Sequence, residues 1–393
     1  MTKAVPVLLA HPFRPFFLLT GIYGGVVVAA WILFLFGGWP LPIGWSPLQW
    51  HSHEMLYGFV PAAIAGFVLT AMTNWTGAAA LRGAPLLALI VLWLAGRVVM
   101  WFASWIPSWC VAAVDLAFLP ALAIYVARVL LRHGNRRNLI LVGVLSLIII
   151  GNIMMHIGFI SGATVWLKVG QQHGLDVITL MMVIIAGRIV PAFTGNYLRA
   201  TGENPDHVHR SVWVERLTIT SVILLLPLSW FGAPAPLIAV VALAAGVINA
   251  VRLARWSGWR AGREPLLWIL HLAYLWIVVA LVLRGLSAFV DTIPASLWQH
   301  ALGVGAIGTL ILGVMTRVAA GHTGRPLKLL PFGLAIYVAI IAATLLRLMA
   351  AANIMDYRLG IGLAAIAWVL AFGLFVIIYG PILSHPRADG RPG

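Results

Sequence analysis

Charge is scarce in this chain: of 393 residues only 9% are Asp, Glu, Lys or Arg, and just 10 are acidic. Soluble globular domains carry roughly 25% charged residues. A chain that is 62% hydrophobic cannot cover itself with a water-soluble surface, so a soluble enzyme or binding module is excluded. Cysteine is nearly missing too. The single Cys110 excludes an internal disulfide and any cysteine-built zinc or iron–sulfur site made by one chain. Also missing are a Walker loop, a dinucleotide fingerprint, a hydrolase elbow and a C-x-x-C-H haem-attachment motif. Any bound metal therefore relies on His, Met, carboxylate or backbone ligands.

What is present is long apolar runs, and about 20 apolar residues suffice to cross a bilayer as a helix. Counting runs between polar or Gly/Pro punctuation predicts twelve spans, near 16–37, 48–73, 84–103, 108–131, 138–160, 171–198, 211–230, 234–253, 265–288, 296–319, 329–350 and 357–381. The reading is one polytopic membrane domain, residues 1–393, of all-α class. The net charge of +15 sits in short loops, not in a solvated domain, so topology explains it better than nucleic acid does. Basic residues crowd the loops after even-numbered spans, among them Arg132, Arg136, Arg137, Arg255, Arg260, Arg263, Arg325 and Lys328, which places both termini in the cytoplasm. The first apolar run is long enough to span and lacks a cleavage site after it, so it reads as a helix and not a removed signal. Ser46 and Pro47 make an N-cap and first turn for span 2.

Three segments resemble one another: HEMLYGFVPAAIAGFVLTAMTNWTG from His53, HGLDVITLMMVIIAGRIVPAFTGN from His173, and HALGVGAIGTLILGVMTRVAAGHTGR from His300. Each opens on a histidine, has a Gly 13 or 14 residues later and ends in Thr-Gly, and the starts lie 120 and 127 residues apart. Four spans separate them, so the chain reads as three pseudo-repeats of four helices, roughly 16–131, 138–253 and 265–381. Small residues recur in membrane helices for packing alone, which is the competing explanation.

With this orientation spans 2, 6 and 10 all start outside, so His53, His173 and His300 share one depth. His156, four residues from the outer end of span 5, reaches a similar level, as do Glu54 and Asp176. Ionisable groups in a membrane are costly and usually functional. His51 and His53 are about 200° apart on a helix and cannot serve one metal, so they mark two sites, or one ligand and one structural histidine. Glu54 shares the face of His51. Several inward histidines suit haem iron, copper or zinc, and Met154–Met155 and Met181–Met182 add soft ligands or simply fill core. Arg97 and Asp115, on spans 3 and 4, form either a buried ion pair or a propionate or proton-path site. Arg188 and Arg317, with Asn196 and His322 beyond them, mark an inner anion or proton site, or else the arginines snorkel.

Four stretches, HPFRPFFL at 11–18, WHSHEMLYGF at 50–59, GRIVPAFTGN at 187–196 and MTRVAAGHTGRPL at 315–327, resemble signatures of the NnrS family, twelve-helix bacterial membrane proteins. The likeness runs from the first span to the last. It implies a haem- and copper-containing inner (cytoplasmic) membrane protein tied to nitric oxide metabolism and nitrosative stress, with haem of b type. Carried over by motif are His51, His53, Glu54, Arg188, Asn196, Arg317 and His322. The arrangement also resembles the catalytic subunit of haem–copper oxidases, although span 7 lacks that group's histidine pair. The expected ligands are His53, His173 and His300, with His51 and His156 as further metal ligands and Arg97 as a propionate partner or counter-ion. Redox turnover of NO or a metal–nitrosyl would need an external electron donor. The rival functions are an ion or small-anion transporter using the histidines as a relay, and a non-catalytic haem-based NO sensor.

Overall fold

A computed structural model of the chain describes residues 5–391. It contains twelve helices long and apolar enough to cross a membrane: α1 (Phe13–Gly37), α2 (Pro47–Thr76), α3 (Ala84–Trp101), α4 (Ser108–Arg132), α5 (Arg136–Ser161), α6 (Thr164–Ala200), α7 (Val212–Trp230), α8 (Ala235–Ala254), α9 (Pro265–Leu286), α10 (Ala295–His322), α11 (Gly333–Ala351) and α12 (Tyr357–Ser384). No strand occurs among the described residues. The all-α, multi-pass reading of the sequence is what the structure has. Its main departure is the start of α6, which runs back through Lys168 to Thr164, where the apolar run alone begins near 171.

The chain divides into two compact units. The first comprises the chain up to Gly174 together with Val318–Pro326 and the segment from Phe375. The second comprises Leu175–Arg317 and Leu327–Leu374.

In the first unit small residues set the helix spacing. A Cβ on Gly66 of α2 would stand 2.7 Å from the Phe17 ring of α1. One on Gly158 of α5 would stand 2.7 Å from the backbone nitrogen of Leu167 in α6, so backbones touch where no side chain intervenes. Helix α2 starts as its sequence dictates, with Ser46 accepting from the Gln49 amide and Pro47 in the first turn. It stops at Gly77, whose left-handed φ of 71° lets its amide return to the Thr73 carbonyl at 2.8 Å. In the second unit α8 and α9 approach in the same manner: Cβ atoms on Gly246 and Gly285 would lie 2.8 Å from Val282 and from the Ala239 carbonyl oxygen.

Two helices widen to π geometry at one place each. Immediately after His53, residues Glu54–Phe59 form a π-helical turn, and immediately after His300, residues Ala301–Gly308 form another. The first precedes Pro61, which has no N–H for the Tyr57 carbonyl and whose ring would press on it, so a wider turn removes the conflict. The second is glycine-rich, ALGVGAIG, and lacks side chains that would hold the tighter spacing. Helix α4 is interrupted between Asp115 and Phe118, which leaves Asp115 at the end of a helical segment.

Candidate functional site

Helices α1 to α5 of the first unit surround a cluster of ionisable side chains cut off from solvent. His53 and Glu54 come from the α2 turn where the π segment starts, Arg97 from α3, Asp115 from the break in α4, and Asn152 and His156 from successive turns of α5. Their exposures are 0% for His53 and Glu54 and no more than 5% for the rest. Nδ1 of His53 lies 3.0 Å from Oε1 of Glu54, while its Nε2 lies 2.8 Å from Oδ1 of Asn152 and 3.3 Å from Oδ2 of Asp115. Nε2 of His156 lies 2.9 Å from the same Asp115 oxygen, to which Asn152 Nδ2 donates at 3.0 Å. Arg97 bridges the two carboxylates, donating through Nη1 to Glu54 at 2.5 Å and through Nη2 to Asp115. The second oxygen of Glu54 accepts from the Tyr23 hydroxyl, which itself accepts from Trp101 Nε1 at 3.0 Å.

Local sequence explains why these groups fit. Gly58 lies one helical turn after Glu54, and a Cβ there would stand 3.0 Å from Cζ of Arg97, with the guanidinium nitrogen closer still. Gly96, beside Arg97, likewise lets Asp115 approach, since its Cβ would sit 3.2 Å from Oδ1. Aromatic rings wall the cluster: Trp45 lies 5.1 Å from the His53 ring and 5.5 Å from that of His156, and Tyr57 lies 5.6 Å from His53. Both ring nitrogens of His53 face oxygen acceptors. Glu54 and Asp115 are thus each set between the Arg97 guanidinium and the His53 ring.

The other residues singled out in the sequence have separate settings. His51 stacks on Trp31 of α1 at 4.3 Å, on a different face of α2 from His53. His173 is buried with Nε2 2.7 Å from the Leu147 carbonyl of α5. In the second unit Asp176 is paired with Arg284 and accepts from Ser229 at 3.2 Å. There too Nδ1 of His300 lies 2.7 Å from the Ser296 carbonyl. Arg188 is half-buried and Asn196 exposed, its Oδ1 accepting from Arg199 at 3.1 Å. Arg317 covers the Phe193 ring at 4.2 Å. His322 meets His11 and Phe13, with ring centres 5.9 and 5.6 Å away, so the first and fourth of the motif stretches pack together. His11 precedes α1, and its pKa is pushed down to about 4, mostly by burial and then by His322, Arg14 and Arg387.

Sequence reasoning passed over Asn152, Tyr23, Trp45 and His271. Asn152 was findable, standing one turn before His156 on the same face of α5. His271 of α9, 2.9 Å from Thr194 through Nε2, is a lone histidine in an apolar run with no pattern to mark it.

A family model described as NnrS protein matches residues 7–387, essentially the whole chain. The chain belongs to the NnrS family. No curated protein matches it. Membership in NnrS supports a role related to nitric oxide, and the resemblance implies haem and copper, so the residues must be asked whether they fit those groups.

For an ion the fit is good in the NnrS chain's first unit. One ligand atom each from His53, Asp115 and His156 lies within 4.8 Å of the others, and all three residues are buried. Metal bonds of about 2.0–2.2 Å to nitrogen and oxygen put neighbouring ligand atoms about 2.9–3.5 Å apart. The 2.9 and 3.3 Å separations from Asp115 Oδ2 to the two imidazoles fall in that interval. Nδ1 of His156 is moreover buried with no protein partner. Two imidazoles and a carboxylate suit copper and zinc alike. For a macrocycle His53 is poorly placed, with the Trp45 and Tyr57 rings against it. His300 has better chemistry for haem, because the Nδ1 bond to a carbonyl fixes the tautomer in which Nε2 is basic.

Proposed function

We propose that this NnrS-family protein handles nitric oxide, or a metal–nitrosyl derived from it, at a buried metal centre held by His53, Asp115 and His156, with copper as the ion. The observation that carries the reading is the convergence of these three buried side chains, none more than 3% exposed, from α2, α4 and α5. A bound copper ion would supply one-electron chemistry and a coordination position for a diatomic ligand. The chain's own residues do the rest. Arg97 and Asn152 fix the Asp115 carboxylate. Glu54 orients His53 through Nδ1, as carboxylates behind metal-ligating histidines do. The Tyr23 hydroxyl on Glu54 places a transferable proton next to that pair, and Trp45 and Tyr57 exclude water.

Haem of b type is the second proposed cofactor, with His300 the leading ligand and His173 a further one. The π-helical turns after His53 and His300 support a relation between the first and third of the proposed repeats, while the helix that carries His173 in the second is continuous α. Redox turnover would draw on an external electron donor. The proposed location is the bacterial inner membrane with both termini in the cytoplasm, from the loop charges. A second reading has one observation in its favour: the ion-free cluster is a continuous run of hydrogen-bonding groups from Tyr23 through Glu54 and His53 to Asp115 and His156, as a proton or ion relay would be.

The test is metal and haem content of detergent-purified protein carrying single substitutions. His53→Ala and His156→Ala should lose copper, and His300→Ala should lose haem. His207→Ala, in the loop between α6 and α7, should lose neither. Copper retained in both of the first two variants would refute the centre, and protein free of metal after replete expression would favour the relay.

A further inference from the structure

Arg347 of α11 is 7% exposed, and its Nη1 is buried without a hydrogen-bond partner. That sets it apart from Arg97, Arg252 and Arg284, each of which is clamped on a carboxylate. A guanidinium stays charged at any ordinary pH, and burying it without an acceptor is unfavourable. Lysine and arginine near helix ends normally turn their heads out to water. Arg347, four residues before the last of its helix, turns inward.

Two close approaches give the register of the helices around it. Cβ atoms on Gly308 and Gly305 would lie 3.1 Å from Ile340 and 3.2 Å from Thr344, so α10 and α11 run in opposite senses. One turn further along, Arg347 comes level with Ala301 and Leu302, beside His300. On the other flank a Cβ on Gly305 would lie 2.8 Å from the Trp276 ring of α9. Nε1 of Trp276 is also buried with no partner. The level of Gly305 is about one helical turn, some 5 Å, from that of Arg347. Two buried, unpartnered donors therefore border the stretch of α10 between His300 and Gly305, one from α11 and one from α9, all within the second unit.

We propose that Arg347 binds the anionic end of a ligand seated beside His300, with Trp276 Nε1 as a second donor. Donors alone call for an acceptor, one uncompensated cation calls for a single negative charge, and the planar guanidinium matches two coplanar oxygens. The ligand class is a planar monoanion, either a carboxylate or a nitrogen oxyanion such as nitrite. Those two sources share the chemistry and separate by experiment. The site does not depend on the metal centre of the first unit, although the carboxylate source, a side arm of a macrocycle on His300, rests on the haem proposal.

Sodium nitrite is titrated calorimetrically into the full-length protein as wild type, Arg347→Gln, Arg347→Lys and Trp276→Phe, and haem content and melting temperature are measured on the same samples. If the ligand is a free oxyanion, nitrite binds the wild type, and Arg347→Gln weakens it by tenfold or more, as loss of a charged hydrogen bond does. Arg347→Lys restores part of the loss, and Trp276→Phe weakens binding less. If it is a carboxylate of a bound macrocycle, nitrite does not bind, haem retention falls in Arg347→Gln, and Arg347→Lys is intermediate. The proposal is overturned if nitrite binding and haem content are the same in all four proteins. A higher melting temperature in Arg347→Gln with no loss of either ligand would also overturn it, since that is the behaviour of a merely tolerated buried cation. Should Arg347→Gln fail to fold, the Lys and Trp276 variants decide by the same readings.

Discussion

His156 and Asp115, from adjacent helices and 41 positions apart in the chain, share one short contact, Nε2 to Oδ2 at 2.9 Å, and that same carboxylate oxygen lies 3.3 Å from Nε2 of His53. A single carboxylate oxygen thus sets the spacing of two imidazoles. Its position depends in turn on Asn152, whose amide donates to Asp115 at 3.0 Å and whose carbonyl faces His53 at 2.8 Å.

Asn152→Leu should therefore weaken copper binding by about 10- to 100-fold although both imidazoles remain, the usual cost of losing a group that orients metal ligands. Copper titration of the purified variant against wild type checks this. Unchanged affinity would mean that Asn152 has no part in shaping the centre.

Gly58 is where the cluster and helix packing meet. Gly58→Ala would drive a methyl group into the Arg97 guanidinium and to within 3.1 Å of Glu54 Oε2, and should cost about 1–3 kcal/mol, read as a lower melting temperature in detergent. Gly25→Ala, in α1, meets nothing within 4 Å and should be neutral or slightly stabilising. Equal effects at the two positions would contradict the packing described.

Arg97 neutralises two carboxylates at once. Arg97→Met should cost about 3–5 kcal/mol, because it leaves buried charge without its partner. Adding Asp115→Asn to that variant should recover part of the loss, since one of the stranded charges is then gone. Melting curves of the single and double variants give the comparison, and full additivity of two losses would contradict the ion-pair account.

The twelve spans were legible because hydrophobicity sufficient to cross a bilayer is written residue by residue, and the Ser46–Pro47 start of α2 because capping is local. The participants in the first-unit cluster were legible as well: His53, Glu54, Arg97, Asp115 and His156 stand out as ionisable groups in apolar runs. Their grouping was not. The sequence groups His53, His173 and His300 by expected depth alone, whereas contact depends on which helices are neighbours, and it is α4 and α5 that bring Asp115 and His156 to His53. The π-helical turns were equally hidden, since a proline or a glycine-rich stretch is compatible with several local departures from α geometry.

His11 supplies a pH dependence outside the spans. Its pKa in the folded protein is about 4 against 6.5 when unfolded, so the unfolded chain binds the extra proton first as pH falls. The stability that this group contributes is full above pH 6.5 and is lost as pH drops towards 4. Between pH 7 and 5 the loss should reach at most about 2 kcal/mol. His11→Gln should flatten the fall in melting temperature over that interval, and an unchanged slope would contradict the assignment.

The central claim is a metal centre made by His53, Asp115 and His156, and the most direct measurement is copper titration of the purified full-length protein read by electron paramagnetic resonance. The account predicts one tightly held copper per chain with hyperfine coupling to two imidazole nitrogens, reduced to one nitrogen and a weaker site in His156→Ala. Absence of tight copper binding, or an identical spectrum and stoichiometry in a His53→Ala/His156→Ala double variant, would contradict it.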